Sequence, residues 1–134
     1  MEFDIKPATV SYQEIIVQLT DTAVNFGSGL IEVFSTPAMI ALMEKTAQLS
    51  IQEQLPQGYI TLGTEINVKH VKATPVGMKV YCNSELLSVD GKRLVFKISA
   101  RDEAGLIGEG THHRYIVEAD RFMEKLNQSA KLHL

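Results

Sequence analysis

The sequence predicts an α+β fold in which one long apolar helix is wrapped by a curved antiparallel sheet. Three observations carry this: a Thr36-Pro37 helix start followed by apolar residues as far as Ile51, a change to period-two patterning from Gly63 onward, and an Asp90-Gly91 pair between two such runs. A strand, a long helix and then four strands leave the helix to be covered by the sheet.

With 134 residues, 45% hydrophobic and 22% charged, the chain has the size of one domain, 1–134, and the composition of a globular protein. A net charge of −3 with no dense Lys/Arg run argues against a nucleic-acid partner. Met1 to Val10 lacks the basic-then-apolar pattern of a secretory signal, and no stretch approaches the ~20 apolar residues that span a bilayer. The expectation is a cytoplasmic protein with no membrane partner. Its one cysteine, Cys82, cannot form an intramolecular disulfide, which fits a reducing compartment.

The first strand is expected over Gln13 to Leu19, with Ile15, Val17 and Leu19 on one face. Thr20 to Leu30 contains Asp21, Asn25, Gly27, Ser28 and Gly29 and reads as a mobile connection suited to a lid. The helix starts with Thr36 as N-cap and Pro37 at the first helical position, and Pro56 with Gly58 beyond stops it. Its apolar residues run almost all round, the pattern of a buried helix.

Thr64 to Thr74 reads as a strand, Pro75-Val76-Gly77 as a turn, and Met78 to Val89 as a second strand. Lys92 to Arg101 and Ile107 to Glu118 follow, joined by Asp102 to Gly105. Successive hairpins imply antiparallel pairing. A closing helix is expected from about Asp120 to Ser129, with Phe122, Met123 and Leu126 on one stripe.

Glu44 stands among Ile40, Ala41, Ala47 and Ile51 at helical spacing. A lone carboxylate on that face needs a partner, a polar cavity or a raised pKa, and each of these makes it a site candidate. The alternative is an ordinary helical glutamate facing a solvated groove. His70 shares a strand face with Ile66 and Val68 and points at the helix; it is either a site residue or a core histidine satisfied by a carbonyl. Thr36 is first of all an N-cap. It lies eight residues before Glu44, or ~12 Å along a helix, so one site using both needs a second subunit or a bridging substrate.

His112 and His113 point to opposite strand faces and cannot chelate together, and no spacing resembles a zinc site, so no metal is expected. Gly108-Glu109-Gly110 lies inside a strand and suggests close backbone approach or a bulge.

Three segments, Val33 to Glu44, Leu62-Gly63-Thr64 through His70, and Gly110-Thr111-His112-His113-Arg114, resemble the hotdog thioesterases related to fluoroacetyl-CoA thioesterase. The resemblance runs from about Val10 to the last helix. Its specific part is the Thr, Glu, His constellation at intervals of eight and twenty-six residues, with a Leu-Gly-Thr turn seven residues before the histidine. It implies a hotdog fold and a homodimer whose two sheets join, with the acyl pocket near the subunit boundary. Glu44 is then the catalytic carboxylate, as nucleophile or as general base, His70 the acid/base partner and Thr36 an orienting hydroxyl. The Gly63 amide is a candidate oxyanion donor. No cofactor is implied beyond the coenzyme A of the substrate.

Arg114 is a candidate for the coenzyme A phosphates or a surface strand arginine, and Lys69, Lys72 and Lys79 have the same status. Around Asn25 to Ile31 the chain is Gly/Ser-rich, with Phe26 the only aromatic residue before Phe34, where the fluoroacetyl-specific enzyme has a more aromatic lid. Pro37 follows Thr36 where that enzyme has a small flexible residue. Acyl-thioester hydration and non-catalytic acyl-CoA binding are the competing functions, and a buried acid is not needed for mere binding.

Overall fold

A computed structural model describes residues 2–133. In chain order its elements are β1 (Val10–Ile16), a 3-10 turn (Leu19–Asp21), α1 (Ala23–Phe26), α2 (Thr36–Gln52), β2 (Tyr59–His70), β3 (Lys79–Asp90), β4 (Arg93–Asp102), β5 (Gly105–Glu118) and α3 (Ala119–Lys131). The five strands form one antiparallel sheet in the order β1-β3-β4-β5-β2. The expected α+β arrangement, a long helix against this sheet, is what the chain adopts.

The sheet buries one face because its strands alternate. In β4, Leu94, Phe96, Ile98 and Ala100 are buried while Arg93, Lys97 and Arg101 are exposed. The helix answers with Met39, Met43, Ala47 and Ile51, each four residues after the last and all 0% exposed. Burial of each large side chain is worth roughly 1.5–3 kcal/mol, so this seam locks α2 against the sheet. The helix is not enclosed all round in a single chain: Ala41, Lys45 and Leu49 form an exposed row beside Glu44.

Element boundaries depart from expectation for local reasons. β1 begins at Val10 and ends at Ile16 because its length is set by pairing with Lys79 to Glu85, and Leu19 belongs to the exposed 3-10 turn. The Thr20 to Leu30 connection is more structured than a mobile loop. Thr22 caps α1 by accepting from the Asn25 amide at 3.3 Å, and it bridges to Phe34. The long helix ends at Gln52, and tighter turns carry the chain to Pro56. β2 starts at Tyr59, and the Leu-Gly-Thr segment is not a turn but a bulge inside it, between Gly63 and Glu65. Gly91, at φ 60°, and Lys92 make the expected hairpin between Asp90 and Arg93.

α3 spans the expected helix, but Phe122, Met123 and Leu126 remain 40–49% exposed. Among the described residues, no helix is long and apolar enough to cross a membrane. β2 is an edge strand, so the site residues it carries lie at the border of the sheet.

Candidate active site

His70 is the last residue of β2, on the inward face with Ile66 and Val68 as its period-two position requires. Thr36 meets it: Thr36 Oγ1 lies 2.8 Å from His70 Nδ1. Thr36 is free to do so because it is not the N-cap. That role belongs to Ser35, whose Oγ accepts from the Ala38 amide at 3.1 Å, leaving Thr36 as the first helical residue. When Nδ1–H donates to the hydroxyl, the ring keeps a free lone pair on Nε2. This nitrogen is shielded from solvent and has no hydrogen-bond partner among the described residues. Burial lowers the His70 pKa below the usual histidine value, opposed in part by the Lys72 backbone, so the neutral form dominates at neutral pH. Beside the pair is a cavity of about 320 Å³, walled in part by Ala23, Phe34, Val71 and Ala73.

A second cluster surrounds Glu44, two helical turns further on. Its Oε2 is 3.7 Å from Arg114 Nη1. A Cβ at Gly63 would fall 2.8 Å from the same oxygen, so only glycine lets the carboxylate lie against β2. Arg114 is buried, not on the surface: it holds Thr61 through Nε to Oγ1 at 2.7 Å and Nη2 to the carbonyl at 2.9 Å. Burial lowers its pKa, and Glu44 opposes that shift.

The remaining Arg114 nitrogen, Nη1, reaches His112 Nε2 at 3.1 Å, while His112 Nδ1 is 2.7 Å from the Glu65 carbonyl. A carbonyl only accepts and a guanidinium only donates, so His112 is the neutral Nδ1–H tautomer. Its lowered pKa agrees: burial is the main cause and Arg114 adds to it, against the Glu65 carbonyl and Glu44. Phe96 stacks on the ring with centroids 6.3 Å apart. Glu44 therefore faces a cation fixed in place by other groups, and its own side chain is 43% exposed. Of the three conditions expected for a carboxylate on that face, Glu44 meets the first, a partner, and it lies at the margin of the apolar surface.

The structure thus brings together Thr36 with His70, and Glu44 with Gly63 and Arg114, but it keeps these two clusters apart. Gly63 and His70 are seven residues apart on one strand, and with the bulge between them they span the length from Arg114 to Gly108 on β5, roughly 20 Å at the usual rise. Sequence reasoning missed His112, Thr61 and the inward direction of Arg114. The period of two offered a signal, because Arg114 and His112 share a strand face with buried Ile116.

The other lysine candidates find structural partners or none. Lys72 binds Asp102 at 2.7 Å, Lys79 lies 3.9 Å from Glu14 and over the Tyr81 ring, and Lys69 is exposed. His113 turns away from His112 toward Glu65, at 3.5 Å. Among the described residues, no three His, Cys, Asp or Glu side chains converge on one point. Gly108 and Gly110 serve close approach: a Cβ on Gly108 would meet the Met39 sulfur at 2.5 Å, and one on Gly110 would overlap the Asn67 carbonyl.

A long helix held against a five-stranded antiparallel sheet is the arrangement of the hotdog thioesterases of known structure. Residues 17–120 match the family described as fluoroacetyl-CoA-specific thioesterase, and the chain belongs to that family. It is 41% identical over 97 residues to the fluoroacetyl-CoA thioesterase of Streptantibioticus cattleyicolor, covering 72% of this chain and 70% of that one. A solved structure of the fluoroacetyl-CoA thioesterase FlK superposes with a TM-score of 0.89 at 32% identity, covering 93% of this chain and 97% of that one. A mutant of the same enzyme in complex with fluoroacetate and CoA gives 0.84 at 32% identity, covering 88% and 99%. A thioesterase superfamily member from Thermus thermophilus shares the fold, with a TM-score of 0.87 at 23% identity over 97% and 96% of the chains.

Proposed function

We propose that this protein hydrolyses a small acyl-coenzyme A thioester, with Glu44, His70 and Thr36 assembled across a homodimer formed along β2. The observation that carries the reading is that both clusters lie against one free sheet edge, Gly63 beside Glu44 near its middle and His70 at its end. Antiparallel pairing of two β2 edges about Asn67 sets Gly63 opposite the partner's His70, because the bulge between Gly63 and Glu65 leaves both positions three pairing steps from that centre. A separation of roughly 20 Å within a chain becomes a single site between chains.

The chemistry then divides by position. Thioester hydrolysis adds water across the carbonyl–sulfur bond to give the carboxylate, the coenzyme A thiol and a proton. Glu44 attacks the carbonyl or takes a proton from the attacking water, and Arg114 Nη1, 3.7 Å away, orients it. His70, neutral and aligned by Thr36, moves the proton toward the departing sulfur, whose thiol pKa of about 8.5 makes it a good leaving group. The Gly63 amide is the candidate donor to the oxyanion.

The relatives name fluoroacetyl-CoA as a substrate; the Gly/Ser-rich Asn25 to Ile31 segment of this chain leaves the acyl group to experiment. We place the enzyme in the cytoplasm with acyl-CoA, requiring no metal or further cofactor and no nucleic-acid or membrane partner. The test is release of free thiol from short, halogenated, branched and aromatic acyl-CoAs by the native protein and by Glu44→Ala. Release that depends on Glu44 supports the reading. No release from any member overturns it in favour of a binder or a hydratase.

A further inference from the structure

Asp102 ends β4 with its side chain fully out of solvent. Three donors converge on it: Lys72 Nζ at 2.7 Å and Thr74 Oγ1 at 2.9 Å on Oδ2, and the Ala104 amide at 2.8 Å on Oδ1. Burial alone would raise its pKa, but these bonds outweigh it and hold the carboxyl below the usual range. An ion pair whose carboxylate is buried is a poor source of net stability, since desolvation of Asp102 cancels much of the attraction to the part-exposed Lys72. What such a network does supply is fixed geometry.

That geometry is directed at His70. Ala104 only closes the turn between β4 and β5, but Lys72 and Thr74 belong to the segment directly after His70, where β2 has ended. Thr74 is 0% exposed and passes the restraint on: its carbonyl accepts from the Phe34 amide at 2.9 Å, and the adjacent Pro75 bridges to Val33. Phe34 is set edge-on to the His70 ring, with centroids 6.4 Å apart, and stands two residues before Thr36. Lys72 and its neighbours Val71 and Ala73 wall the cavity beside the pair, whereas Asp102 does not line it. One carboxylate thus ties down both strands of chain that deliver Thr36 and His70.

We propose that Asp102 is a positioning residue for the Thr36–His70 pair, acting through Lys72 and Thr74. Its consequence for turnover rests on the thioesterase reading; the restraint itself does not. The test is Asp102→Asn, which keeps the shape and removes the charge, read in two ways. Without substrate, the ring ¹⁵N resonances of His70 shift toward those of Thr36→Val. With substrate, kcat falls by about 10- to 100-fold while KM stays within about threefold, the signature of a misplaced catalytic group.

In a double-mutant cycle the loss from Asp102→Asn disappears when Thr36 is already valine, because both act through one pair. Losses that multiply, or unchanged His70 resonances with full kcat, overturn the proposal. If Asp102→Asn does not fold, Thr74→Val and Lys72→Met carry the same readouts. Native protein that releases no thiol while the resonances still shift refutes the thioesterase reading and leaves the restraint standing. Thiol release with unmoved resonances does the reverse.

Discussion

Thr36 Oγ1 stands 2.8 Å from His70 Nδ1 although 34 residues separate them in the chain. The contact exists because the helix is capped one residue earlier, by Ser35, so the Thr36 hydroxyl is not spent on a backbone amide. A strong N-cap is worth roughly 1 kcal/mol, and placing it on Ser35 separates helix stability from whatever Thr36 does for the histidine.

Thr36→Val should therefore leave the helix intact and reduce kcat for thiol release by about 10- to 100-fold, while Thr36→Ser keeps most of the activity. Ser35→Ala should do the opposite, lowering thermal stability by roughly 1 kcal/mol with His70 still in contact with Thr36. Equal activity of the valine and serine variants would sink the orienting role.

Gly63→Ala places a methyl 2.8 Å from Glu44 Oε2 and 3.2 Å from His112 Cε1. The His112 ring is locked by two hydrogen bonds, so it is the glutamate that must move. We expect a folded protein whose kcat falls by about 10²-fold, the cost of roughly 1 Å of misplacement. Turnover within a factor of two of the native rate would show that Glu44 does not work from its position beside β2.

The fold was legible because its signals are local. Period two in β4, the Asp90-Gly91 turn and the helical run after Pro37 each stand within a few residues of sequence. The candidate site was legible only as a constellation of Thr36, Glu44 and His70. Ser35 and Thr36 are both good caps, and the choice between them is tertiary: Phe34 is held by Thr22 and Thr74 from outside the helix. Arg114 looked like a surface residue because charged side chains are rarely buried unpaired. Its partners, Thr61 and His112, come from another strand and from the next inward position of its own. The distance between the clusters needed the true length of β2, which the bulge after Gly63 hid by interrupting the alternation.

Arg114→Lys is not a conservative change here. A lysine keeps the charge but cannot span Thr61 Oγ1, the Thr61 carbonyl and His112 Nε2 together, as the guanidinium does. At least one buried acceptor is left without a partner, at roughly 1–3 kcal/mol, and the cation facing Glu44 loses its fixed position. Melting temperature and kcat should both fall. A lysine variant with native stability would show that these bonds are not needed to hold the arginine.

His70 and His112 both have pKa values lowered chiefly by burial. An unfolded histidine titrates near 6.5, so between that value and the folded pKa the unfolded chain binds more protons. Stability from these two residues is present above about pH 6.5 and is lost as pH falls through the folded values. Melting temperature measured from pH 8 to pH 5 should hold steady and then decline, and His70→Gln should make the decline shallower. A melting temperature that rises on acidification over this range would contradict neutral burial.

The proposed assembly between chains has the sharpest consequence for activity. Glu44→Ala homodimers should be nearly inactive and Thr36→Ala homodimers should keep at most about a tenth of native activity, since each lacks one component from both sites. When the two proteins are unfolded together and refolded at equal concentration, half the dimers are mixed by random pairing. With two antiparallel β2 edges, each mixed dimer has one site lacking both Glu44 and Thr36 and one site lacking neither. Half the dimers with one intact site of two should restore about a quarter of native thiol release. If both residues served a site within one chain, every site in the mixture would lack one of them, and mixing would restore nothing.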